Sequence, residues 1–140
     1  MLLRTTRRRL FTFASMVLLV PVVALAHHSY TAEFDTTKPI KLTGVLTRVE
    51  WANPHIYYYV DAPDKTGKIV NYAIEGGPPN ILFRAGWRKD TLKQGDTVTV
   101  EGFMAKDGSN HVNGRNVTLP NGKKIFAGSN DGSPLQTGPQ

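Results

Sequence analysis

Four histidines, His27, His28, His55 and His111, are the side chains here best suited to distinctive chemistry. Imidazole is the most frequent protein ligand for metal ions. His27 and His28 follow Ala24-Leu25-Ala26, the small-x-small pattern after which signal peptidase cuts. A cut before His27 gives that residue a free α-amine as well as its ring, and the two nitrogens can chelate one ion. The amine has an ordinary pKa of about 7.7–8, so a divalent metal displaces its proton near neutrality. By ligand type and affinity order, nitrogen-rich sites of this kind suit Cu(II) best.

This pairing resembles the histidine brace of copper monooxygenases and copper carriers, in which a mature N-terminal histidine is joined by a second one. The second ligand here is His55, on the turn made by Pro54, or His28 or His111. The resemblance implies coordination, not oxygenase activity. A cut after Ala24 would instead place His27 third from a free amine, a position that also binds Cu(II) through amine, backbone amides and imidazole. The competing reading is structural: a solvated start at His27 and His28, a turn contact for His55, an exposed strand position for His111.

Trp51, Tyr57 and Tyr59 are the second candidate group. Tyr57 and Tyr59 share a strand face, with Tyr58 on the other, so an aromatic platform for a small ligand or glycan is expected there. Other chemistry finds no motif. The sequence lacks a nucleophile elbow, a phosphate loop, a dinucleotide fingerprint and His-Glu-x-x-His, which argues against an enzyme. Glu33, Asp35, Glu50, Glu75 and Glu101 read as scattered carboxylates on solvated strand faces. With no cysteine, disulfides, thiolate catalysis, cysteine-based zinc sites and c-type haem attachment are excluded.

The elements that must position these groups begin after a targeting segment. Arg4, Arg7, Arg8 and Arg9 precede the apolar run Leu10–Val23 and the cleavage pattern, so residues 1–26 are expected to be a signal peptide, exported by the Sec or twin-arginine route. The run is too short, and too broken by Pro21, to span a bilayer. Losing its four arginines takes the net charge from +6 to +2, which removes the case for nucleic acid as a partner.

Residues 27–39 read as an N-terminal arm, 40–127 as one β domain, and 128–140, rich in Gly, Ser, Asn and Pro, as a disordered tail. From Ile40 the apolar pattern has period two. Its phase changes at Gly44, where a bulge is expected. Strands follow at His55–Asp61, Lys68–Glu75, Thr97–Ala105 and His111–Leu119, with a short helix over Asn80–Ala85. Asn121-Gly122 marks a hairpin into Lys124-Ile125-Phe126. This order predicts an all-β fold with a small α contribution. It is an OB-like five-stranded barrel with one helix between strands three and four and a C-terminal hairpin arm.

Several segments resemble a family of small exported bacterial proteins known only as a domain of unknown function. They are Ala26-His27-His28-Ser29, Glu33-Phe34-Asp35, Lys38-Pro39, Trp51-Ala52-Asn53-Pro54-His55, Gly86-Trp87, Leu92-Lys93-Gln94-Gly95-Asp96 and Leu119-Pro120-Asn121-Gly122. The resemblance implies an envelope location and a small β-barrel, and brings no activity. The expected function is therefore that of a periplasmic or secreted binding or accessory protein, with copper or another divalent metal as ligand. Its partner would be an envelope protein or small molecule. The alternative is a metal-free interaction or small-ligand module, and a third reading is a copper-dependent redox enzyme.

Overall fold

The structure, a computed structural model, describes residues 30–128. The expected signal peptide, His27, His28 and the tail from residue 129 onward lie outside the described residues. A four-residue helix α1 (Tyr30–Glu33) leads directly into β1 (Phe34–Glu50). Then come β2 (Tyr57–Pro63), β3 (Ile69–Glu75), the short helix α2 (Pro79–Arg84), β4 (Thr97–Ala105), β5 (His111–Thr118) and β6 (Lys124–Phe126).

The long first strand organises the sheet by serving two neighbours. Its Pro39–Val45 part pairs antiparallel with β4, and its Val45–Glu50 part pairs antiparallel with β2. The strand order is β3-β2-β1-β4-β5-β6, and a parallel ladder between β3 and β5 joins the two ends into a ring of five. That ladder is short: Ala73, Ile74 and Glu75 lie opposite His111, Val112 and Asn113. With α2 between β3 and β4, and β6 added to β5 beyond the ring, this is the OB-like arrangement expected from the sequence.

Two details differ from the sequence reading. The first strand begins at Phe34, six residues before Ile40. Phe34 is buried and pairs with Ala105, and the register then shifts before Pro39, so polar residues 35–38 ride through an irregular stretch. The bend also sits elsewhere. Ile40, Leu42 and Leu46 keep one inward phase, and the shift against β2 falls between Leu46 and Arg48. Val45, the residue after the glycine where the phase change was expected, is 45% exposed. Gly44 answers a different need: a Cβ there would collide with the carbonyl oxygen of Asp61 on β2.

The ring is filled by Leu46, Tyr58, Val60, Ile74, Val98, Val100, Val112 and Val117, with Ile56, Leu82 and Trp87 buried against them. Each such side chain contributes about 1.5–3 kcal/mol by leaving water. Helix α2 starts with Pro79 in its first turn, where the missing N–H costs nothing. It ends at Gly86 (φ +95°), with Trp87 N–H donating to Leu82 and Gly86 N–H to Phe83. This left-handed stop turns the chain so that Trp87 enters the core, where its indole N–H donates to the Phe126 carbonyl at 2.8 Å. None of the described helices is long and apolar enough to cross a membrane.

Candidate metal centre

The parallel seam between β3 and β5 gathers the titratable groups. Glu75 ends β3 and is only 8% exposed. Cross-strand pairing sets it opposite Tyr57 on β2 and opposite Asn113 on β5, which places it beside His111. His55, two residues before β2, reaches the same carboxylate from the other side. Its Nδ1 contacts Glu75 Oε1, and Tyr57 lies directly across from Glu75, near enough for the carboxylate charge to act on its phenol. One buried carboxylate therefore lies between two imidazoles and beside a phenol.

His111 is the second hub. Its ring stacks on Tyr57 at 5.9 Å and meets the edge of Phe34 at 5.0 Å. Nε2 lies 3.4 Å from Glu75 Oε2, and Nδ1 lies 3.4 Å from Glu33 Oε1 at the end of α1. Nε2 is buried and has no aligned hydrogen-bond partner among the described residues, so its approach to Glu75 is a charge contact. Both distances are long for a charge-assisted hydrogen bond, which closes to about 2.7–2.9 Å. Glu33 is brought in by backbone: Lys106 N–H donates to the Glu33 carbonyl at 2.9 Å, tying α1 to the β4–β5 turn.

The electrostatics are those of a paired site. The Glu75 interaction raises the His111 pKa above its ordinary 6.5; burial opposes this, and the charges of Glu75, Glu33 and Asp107 add to the rise. For Glu75 burial is the largest single influence and pushes upward. The combined pull of His111, His55 and Tyr57 overcomes it and holds the carboxyl below its ordinary 4.5. Burial, then the nearby Glu75 charge, drives the Tyr57 phenol upward, so it stays a proton donor at any physiological pH.

Ligand atoms from Glu33, Glu75 and His111, one each, lie within 4.8 Å of one another. Donors bound to a single tetrahedral ion at about 2.0–2.1 Å sit about 3.4 Å apart; His111 Nε2 keeps that spacing from Glu75 and the other ring nitrogen, Nδ1, keeps it from Glu33, so a single ion takes His111 through one of the two. His55 grips the other Glu75 oxygen, the position of a group that orients a ligating carboxylate. The donor set is mixed imidazole and carboxylate, which fits Cu(II), Zn(II) and their neighbours better than hard, oxygen-only ions.

Among the residues singled out from the sequence, His55 and His111 thus meet on Glu75. Tyr57 joins them by stacking on His111. Tyr59 is used elsewhere: Arg48 lies 4.1 Å over its ring, and its phenol donates to Glu50 at 3.2 Å. Trp51 packs edge-on against Trp87 at 6.4 Å. The three aromatics therefore have three different sets of neighbours. Glu33 and Glu75 were passed over as solvated carboxylates, although the β2–β3 hairpin register was a usable signal, since it sets Tyr57 directly across from Glu75.

No curated protein and no solved structure gives a significant match to the chain. A family model does, over residues 16–115, a span that contains Glu33, His55, Tyr57, Glu75 and His111. The chain belongs to DUF6152, a family of unknown function.

Proposed function

We propose that this is an exported binding or accessory protein of the cell envelope that holds one divalent transition-metal ion, Cu(II) foremost, at the Glu33–Glu75–His111 cluster. The observation that carries the reading is the state of His111. Its buried Nε2 lacks an aligned hydrogen bond and sits at ligand–ligand spacing from a carboxylate. A buried nitrogen in that condition loses part of its interaction with water without full repayment, and a metal ion supplies what is missing. Glu33 and Glu75 provide the negative charge, His55 fixes Glu75, and the Tyr57 and Phe34 rings hold the imidazole plane.

Export rests on the basic start, apolar run and cleavage pattern of residues 1–26. His28 and His27 lie two and three residues before Tyr30, at most about 7–11 Å of extended chain, and α1 ends at Glu33 in the cluster. In this reading, the mature amine and one N-terminal imidazole complete the shell.

The same groups support a metal-free reading, because Glu75 already contacts both imidazoles, and an interaction module held together by that network is the competing account. Intact-mass spectrometry of the protein recovered from the periplasm, under native and denaturing conditions, tests the proposal. The expected result is a chain starting at His27 that carries one metal ion natively and loses it with EDTA. Retention of residues 1–26 would refute cleavage before His27, and absence of the protein from the periplasm would refute export. A metal-free native mass after copper or zinc loading would refute the site.

A further inference from the structure

A second concave surface lies away from the seam, where the loop after β1 meets α2. Trp51, Pro79, Asn80, Phe83, Arg84 and Lys89 line a groove of about 420 Å³, within the range of small-molecule sites. Its aromatic character is unusual for an open surface. Phe83 is 56% exposed on a helix whose Leu82 is fully buried and whose Ile81 is partly buried. Trp51 turns a partly exposed indole to the same space, held by its edge contact with the buried Trp87.

The rim is positively charged. Arg84 and Lys89 make no ion pair among the described residues, in contrast to Lys38, Lys41, Arg48 and Lys124, each of which faces a carboxylate. Arg88, next in the chain, spends its guanidinium over the Phe83 ring and on the Phe83 and Trp87 carbonyls. That stack props Phe83 outward. The one nearby acid in sequence, Asp90, is exposed and faces no cation in an ion pair among the described residues. Flat apolar walls beside two unneutralised cations are complementary to one kind of small molecule: a planar apolar body bearing a carboxylate.

We infer that the Trp51–Phe83 groove binds an aromatic carboxylate, its rings against Trp51, Pro79 and Phe83 and its anionic group at Arg84 and Lys89. The left-handed stop at Gly86 supports this arrangement, since it fixes Phe83 and Arg84 on the last turn of α2 while sending Trp87 inward. The inference is independent of the metal centre, which uses none of these residues.

The test is amide and indole NMR of the protein in EDTA, titrated with 2-naphthoate and, separately, with neutral 2-naphthamide. The expected result is saturable shifts confined to the Trp51 indole and to residues 79–89, with naphthamide at least tenfold weaker. Phe83→Ser and the double substitution Arg84→Glu/Lys89→Glu change exposed residues and should leave the fold intact; each should weaken naphthoate at least tenfold. Equal binding of acid and amide, shifts centred on His111 and Glu75, or no shift at millimolar naphthoate would overturn it. So would occupancy of the groove by another part of the system. Concentration-dependent shifts without ligand would indicate a second copy, and groove shifts on deleting residues 129–140 would indicate the chain's own end.

Discussion

Glu75→Gln is the substitution that reports most clearly on the β3–β5 seam, because it keeps the shape of the side chain and removes only its charge. In the metal-free protein, Glu75 receives the His55 ring and the His111 charge, with the Tyr57 phenol directly across from it. A hydrogen bond to a charged group contributes about 1.5–3 kcal/mol, against about 1 for a neutral one, so each interaction weakens by roughly 1 kcal/mol. The His55 and His111 side chains remain 32% and 22% exposed, and solvent screening reduces their share. The net loss should be about 2 kcal/mol. For a domain of about 100 residues this lowers Tm by about 8–15 °C.

The loss should depend on pH. His111 has a folded pKa above 6.5, so its contribution is complete below 6.5 and disappears as pH rises through the folded value. Glu75 has a folded pKa below 4.5, so its contribution is present above 4.5 and is lost as pH falls through the folded value. The gap between wild type and Glu75→Gln should therefore be widest between about pH 4.5 and 6.5 and narrow on the alkaline side. Thermal melts in EDTA across this range provide the assay. A gap below about 2 °C, or one indifferent to pH, would refute the role assigned to Glu75.

Three further predictions concern the core. The Tyr58 hydroxyl is buried and has no partner among the described residues, so Tyr58→Phe should leave stability unchanged or raise it by about 1 kcal/mol in urea titrations. A Cβ at Gly114 would lie 2.5 Å from that hydroxyl and 2.7 Å from Ile74 Cγ2. Gly114→Ala should cost about 1–3 kcal/mol, and less in a Tyr58→Phe background, a coupling that a double-mutant cycle reads directly. Trp87→Phe removes the indole donor to Phe126 and leaves a buried carbonyl short of a partner. A loss of about 1–3 kcal/mol is expected, with earlier exchange of the β5–β6 amides.

Much of the fold was legible because its strands are local and their turns carry strong signals. Asn121-Gly122 gave its hairpin with Gly122 at φ +81°, and Asp64 closes the β2–β3 turn onto the Thr66 and Lys68 amides. The bend in β1 was misplaced because glycine marks both bulges and close strand approaches; Gly44 is the second kind and Thr47 sits at the first. The candidate site was only half legible. His55 and His111 were recognisable as ligand types, whereas Glu75 depends on a parallel ladder between residues 38 apart in sequence, for which period-two patterning carries no information. Glu33 lay in a segment read as a loose arm, and the pairing of Phe34 with Ala105 is what brings it to His111.

The measurement that bears most directly on the central claim is calorimetric titration of Cu(II) and Zn(II) into the mature protein, alongside Glu33→Gln, Glu75→Gln, His111→Gln and His111→Ala. The account predicts one high-affinity site in the mature wild type. Each substitution should weaken it at least tenfold, including Glu33→Gln, whose exposed position keeps folding out of question. Binding of the same stoichiometry and affinity in the Glu33 and His111 variants would contradict the assignment of the metal to this cluster.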